Sequence, residues 1–166
     1  MMNTLQSGGI PGIVVDGVHM TGSHALCTMA SNIAGWFHGG GRIRSIIGHT
    51  FVMKDGQPWL ALGSPGNVSR TIPQVLMNIL DMGMDPYAAS VEPRMLSLRD
   101  DYVLEIESRL PESVVAGLAK LGVRIMPQPP YDWHMGSFQI CWRDPDTGLL
   151  NSSCDPRRVG QADGIP

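Results

Sequence analysis

The chain has 166 residues, 43% hydrophobic and 16% charged, which suits a single well-buried domain and excludes a disordered or coiled-coil protein. Twelve Lys and Arg against fifteen Asp and Glu leave a net charge of −3, too mild to point to nucleic acid or a membrane surface as partner. No apolar run reaches the roughly 18 residues of a membrane-spanning helix, and the opening "MMNTLQSGGIPG" lacks the charged and apolar regions of a signal peptide.

Taken in chain order, Ile13–Val15 predicts a short strand, with Asp16-Gly17 as a turn. Residues 21–41 carry a weak pattern that ends in "HGGGR", a loop. "HTFVM", "KDGQ" and "PWLAL" predict a hairpin around an Asp-Gly turn. "GSPGN" (residues 63–67) follows, and then Ile72, Val75, Leu76, Ile79 and Leu80 fall on one helical face. Ser69 or Thr71 is the expected cap and Gly83 the stop. Asp85-Pro86 predicts the start of a second helix, running to about Val91.

"MLSL" and "YVLEIE" predict a second hairpin, in which Leu104 and Ile106 alternate with Glu105 and Glu107. "PESVVAGLAKLG" is a helix opened by Pro111 and closed by Gly122, and "VRIM" is a strand. "PQPPYDW" is a rigid extended connection. "GSFQICW" and "LLNSS", joined by "RDPDTG", predict a third hairpin. Hairpins alternating with helices give an α+β fold with antiparallel pairing.

Most chemical signatures fail. "HGGGR" (His38 to Arg42) is similar to a lipase oxyanion loop, but no Gly-x-Ser-x-Gly elbow accompanies it. No Gly-Lys pair exists for a phosphate loop. His19, His24, His38, His49 and His134 show no metal-binding spacing, so neither metal nor cofactor is expected. Cys27, Cys141 and Cys154, an odd count with no Cys-x-x-Cys, argue against a disulfide framework and lean toward a reducing, cytoplasmic compartment without fixing it. They read as buried small hydrophobes. The turn at Gly63–Asn67 is open to two readings. It is either a plain β–α connection, or a place where the N–H groups of Gly66 and Asn67 meet an anion or a developing oxyanion.

Four segments carry a family resemblance: "SIIGHTFVMKDGQPWLALGSPG", "QVLMNILDMGMDPYAASVEPRM", "SSCDPRRVGQADG" and "NTLQSGG". Along the chain, with "NTLQSGG" first, they resemble the C-terminal, small-subunit part of the gamma-glutamyltranspeptidase family of N-terminal-nucleophile hydrolases. That resemblance implies part of a four-layer αββα sandwich, made as a self-cleaving precursor. The new N-terminal threonine attacks an amide carbonyl, commonly a gamma-glutamyl one, with its own α-amine as base. Gly66 and Asn67 then match the oxyanion-hole glycines, with Asn67 replacing the second.

Ser45 matches the first of two serines that hold the substrate carboxylate, and Ile46 stands at the second. Asn3 matches an asparagine near the nucleophile, and Asp16 an acidic residue of the substrate site. The threonine itself is expected upstream of the segment around Asn3, so residues 1–166 are expected to be an incomplete single domain. Its expected partners are a large-subunit portion or a separately encoded chain, and a small amide or gamma-glutamyl substrate. A non-catalytic subunit, or a pseudo-enzyme that binds a small acid or a partner protein, is the alternative.

Overall fold

The computed structural model describes residues 13–19, 48–97 and 103–164. The chain forms two compact units, Met1–Ile47 and Gly48–Pro166. In the first, β1 (Val14–Val15) and β2 (Val18–His19) pair as a hairpin. Asp16 (φ 51°) and Gly17 (φ 77°) are both left-handed, the geometry of a two-residue turn whose twist matches its strands.

In the second unit the same device joins β3 (Thr50–Lys54) to β4 (Gln57–Gly63) through Asp55 (φ 51°) and Gly56 (φ 75°). β4 pairs next with β8 (Gln139–Arg143), and β8 with β9 (Leu150–Cys154), giving an antiparallel sheet of order β3-β4-β8-β9. Everything between Ser64 and Phe138 is therefore inserted between two adjacent strands, so both edges of that insertion meet at one end of the sheet.

Helix α1 (Val68–Leu80) lays Ile72, Val75 and Ile79 against Leu60, Leu62 and Ile140 of the sheet. Ala89 of α2 (Pro86–Val91) and Phe138 complete this core, all at 8% exposure or less. Burial on this scale stabilises by about 1.5–3 kcal/mol for each large apolar side chain. Asp85 caps α2 as expected, accepting from the N–H groups of Tyr87 and Ala88 at 2.9 and 3.1 Å.

The α+β fold and its predicted hairpins are those found, with two local differences. Helix α1 begins at Val68, earlier than a Ser69 or Thr71 cap requires. Thr71 lies inside it, its hydroxyl donating to Asn67 O at 3.1 Å. The second sheet, β5 (Met95–Leu96), β6 (Val103–Glu107) and β7 (Arg124–Gln128), is mixed. β5 and β6 are antiparallel, but β6 and β7 run parallel. Parallel neighbours need a crossover, and α3 (Glu112–Lys120) supplies it. The alternation in β6 does not divide it into a wet and a dry face, because Glu105 and Glu107 are 8% and 0% exposed.

Among the described residues, no helix is long and apolar enough to cross a membrane. The cysteines depart from expectation. Cys141 is exposed and Cys154 half-buried, both free. Register explains the first: Phe51, Ala61, Cys141 and Ser152 line up across the sheet on the face opposite α1.

Candidate active site

The turn that leaves β4 is built from residues that cannot continue a strand. Gly63 ends the ladder, Pro65 lacks an amide hydrogen, and Gly66 takes φ 71°, a conformation natural only to glycine. Asn67 is the N-cap position of α1, yet its side chain makes no cap hydrogen bond. Its Nδ2 instead donates to His134 O at 2.9 Å, so the side chain points toward residues 132–136. Arg70 N–H and Thr71 N–H both donate to Asn67 O. Among the described residues, nothing accepts the N–H of Gly66 or of Asn67. No acidic residue occupies the first turn of the helix, which leaves its positive end uncompensated.

A second segment presses on this turn. Residues Trp133–Met135 form a single 3-10 turn, started by Asp132, whose carboxylate accepts from His134 N–H at 2.7 Å. Gly136 follows with φ 81°. A Cβ there would stand 2.7 Å from Ser64 Oγ and 3.3 Å from Thr71 Oγ1, so only glycine allows this approach. Ser64 Oγ also accepts from Ser137 N–H at 3.0 Å and donates to Pro65 O at 3.1 Å. On the other side, Arg158 donates from Nε and Nη2 to Trp133 O at 3.3 and 3.1 Å. Its Nη2 lies 3.3 Å from the place of a Cβ on Gly66.

Beneath lies a buried ion cluster. Arg94 donates from Nη1 to Met135 O and Gly136 O at 2.9 and 3.0 Å, and from Nη2 to Ser90 O and Asp155. Asp155 in turn accepts from Phe138 N–H at 3.1 Å. Arg157 grips Glu107 with two bonds, 2.5 and 2.8 Å, and also reaches Asp155, Ser90 O and Glu92 O. Arg109 adds a bond to Glu107 at 2.7 Å and stacks 3.7 Å over Tyr131. Burial lowers Arg94 to about 10, against the pull of Asp155. Arg157 is raised: burial opposes its charge, and the Glu107 and Asp155 contacts outweigh burial. Buried ion pairs hold only when both partners and their hydrogen bonds are present. Here they lock the backbone of residues 135–138 that supports the glycine turn.

Of the residues picked out from the sequence, Gly66 and Asn67 stand together at this turn. Asp16 sits exposed on the β1–β2 turn of the first unit. Asn3, Ser45 and Ile46 lie outside the described residues, as do Cys27, His24 and the His38–Arg42 loop. Sequence reasoning did not single out Gly136 or Arg158. "EPRM" and "DPRR" stand within the segments that carry the resemblance, but no pattern in either reveals that Arg94 and Arg157 share the Asp155 carboxylate.

The gamma-glutamyltranspeptidase family model matches residues 19–165. The chain belongs to that family. Among members, it is 31% identical over 117 residues to the glutathione hydrolase proenzyme of Escherichia coli K12, covering 69% of this chain and 19% of that protein. To the acylase ACY 1 proenzyme of Pseudomonas sp. V22 it is 29% identical over 130 residues, covering 76% and 21%. The chain thus spans about a fifth of the length of these curated relatives.

Among solved structures, the gamma-glutamyltranspeptidase of Pseudomonas nitroreducens complexed with L-DON superposes with a TM-score of 0.75 at 23% identity. It covers all of this chain and 92% of that one. A cephalosporin acylase from Bacillus halodurans gives 0.73 at 27% identity, covering 90% and 28%. The solved gamma-glutamyltranspeptidase therefore shares the fold of this chain.

Proposed function

We propose that this chain supplies the oxyanion-binding turn of a gamma-glutamyltransferase-like amide hydrolase or acyltransferase, acting on gamma-glutamyl or related small amides. In this reading a threonine from sequence ahead of the segment around Asn3 attacks the amide carbonyl, its α-amine taking the hydroxyl proton. The carbonyl oxygen becomes an oxyanion and accepts from the N–H groups of Gly66 and Asn67. The amine leaves with the proton, and water or a second amine resolves the acyl-enzyme.

The observation that carries this reading is the pair of N–H groups without an acceptor, on a turn held from two sides. The relatives support it as well: a glutathione hydrolase proenzyme and an acylase proenzyme both carry names of amide-cleaving enzymes. The partner in this reading is the large-subunit portion, and the chain's share of about a fifth of its relatives' length agrees with that.

The test uses the protein expressed together with its upstream sequence and assayed on gamma-glutamyl and glutaryl anilides. Gly66→Pro removes one donor and forbids φ 71°, so turnover is expected to fall by at least the ~100-fold typical of a lost oxyanion donor. Near-normal turnover in this variant overturns the assignment. A wild-type protein inert on every amide supports the non-catalytic subunit instead, a reading favoured by Ile46 at the second serine position.

A further inference from the structure

Asn67 stands where the resemblance places a glycine, and it holds the N-cap position of α1. An asparagine there ordinarily turns its side-chain oxygen back onto the first free N–H groups of the helix. This one makes no cap bond, and its Nδ2 donates away from the helix to His134 O at 2.9 Å. The acceptor is not an indifferent one. His134 O lies 3.8 Å from the place of a Cβ on Gly66, so the negative end of a carbonyl dipole stands beside the turn whose N–H groups have no acceptor. A bare lone pair there opposes a second negative oxygen, the more strongly where water is excluded. The hydrogen given by Nδ2 offsets it.

The same bond completes a pattern. Every carbonyl from Trp133 to Gly136 accepts from a side chain: Trp133 O from Arg158, His134 O from Asn67, Met135 O and Gly136 O from Arg94. Of these three donors, Asn67 alone belongs to the turn itself. Its N–H and its Cα–Cβ bond share one tetrahedral carbon, so tying the end of the side chain restricts the swing of the N–H. Glycine, with no Cβ, leaves that swing free.

We propose that the Asn67 side chain is a positioning group for the oxyanion turn. Its bond to His134 O latches residues 133–136 onto the turn, aims the Asn67 N–H, and masks a carbonyl that would repel the oxyanion. This role rests on the amide-cleavage reading for the oxyanion, and it goes beyond that reading in making asparagine no longer interchangeable with glycine.

The test uses the protein expressed together with its upstream sequence. Steady-state rates are measured on gamma-glutamyl and glutaryl anilides, and amide hydrogen exchange is followed by mass spectrometry. Asn67→Gly keeps the N–H and loses the latch. Its kcat is expected to fall about tenfold with KM within about twofold, the mark of an interaction made in the transition state. Exchange of residues 133–137 is expected to quicken at least about tenfold, with Leu62 and Ile140 unchanged. Asn67→Asp keeps the shape but, ionised, cannot donate to His134 O. Its carboxylate turns to the helix N–H groups as a cap and competes for the donors that the oxyanion needs. This variant is expected to melt at the wild-type temperature and to lose more turnover than Asn67→Gly, whereas a merely structural asparagine would move melting and turnover together. Asp85→Ala, which removes the cap of α2, is the control, with a lower melting temperature and an unchanged kcat.

Wild-type turnover in Asn67→Gly or in Asn67→Asp overturns the proposal, and so does unchanged exchange of residues 133–137 in Asn67→Gly. The amide-cleavage reading fails separately. A wild type that cleaves no amide, while Asn67→Gly quickens exchange at residues 133–137, keeps the latch and loses the activity. A wild type that cleaves amides, with Asn67→Gly unchanged in turnover and exchange, keeps the activity and loses the latch.

Discussion

At the scale of single residues, Gly136 is the glycine among those described that leaves least room for a side chain, because Ser64 stands against it. A methyl group there meets Ser64 Oγ at 2.7 Å, and that oxygen is tied to Ser137 N–H and Pro65 O. Gly136→Ala must therefore bend a φ of 81° or break the Ser64 bonds. We expect it to destabilise by about 1–3 kcal/mol in urea unfolding. Gly83→Ala is the control, because φ is similar, 67°, but nothing lies within 4 Å. The excess of the first over the second isolates the contact. Gly66 was legible in the sequence because proline, serine and a second glycine crowd around it and punctuate the chain locally. Gly136 was not, because "HMGSF" carries no such punctuation and its need for glycine arises from a segment far away in sequence. The Asn67 side chain was half legible: that it intrudes where a glycine is usual could be read, but where it goes could not.

At the scale of elements, the ion cluster joins α2, β6 and the turn that follows β9. Asp155→Asn keeps shape but leaves Arg94 and Arg157 short of charge, and breaking a buried pair in this way costs about 3–5 kcal/mol. Thermal unfolding of the variant beside wild type measures it, and a loss under about 1 kcal/mol would show the cluster to be incidental. At the β8–β9 turn, Asp144 is held below its ordinary 3.8 by the Thr147 N–H, then by the Thr147 hydroxyl and Asp146 N–H. A depressed carboxylate stabilises the fold above its unfolded value, and that contribution is lost as pH falls through the lowered folded value. The Thr147 amide shift is therefore expected to move with a midpoint below the ordinary 3.8, and Asp144→Asn to abolish that movement. Hairpins and the caps at Asp85 and Pro111 were readable because their signals sit within a few residues. The parallel pairing of β6 with β7 was not, since either strand alone looks the same in both directions. Nor was the burial of Glu107, since a strand glutamate reads as solvent-facing until an arginine from the far end of the chain arrives.

For the whole molecule, the sheet presents two unlike faces. One is closed by α1 and α2. The other carries Phe51, 66% exposed, and Leu150, 75% exposed, with Cys141 also exposed. An apolar strip of this kind on the exposed face of a sheet favours association. The 166-residue chain expressed alone is expected to self-associate as concentration rises in sedimentation velocity, and Phe51→Lys to reduce it. A sharp monomeric transition at every concentration would contradict this. The α+β class was legible from alternating patterns, because period-2 and period-3.6 spacing are local properties of the chain.

Every strand and helix in the described part of this protein is complete by Cys154. Asp155, Arg157 and Arg158 come after it. A protease nick or a late nonsense codon at that point would leave every residue of the regular scaffold in place. Yet the clasp behind Met135 and Gly136 and the cation at Gly66 would both be gone. With Glu107 and Arg94 left buried without Arg157 and Asp155, such a product would keep the residues of its scaffold and lose much of the stability that holds them folded.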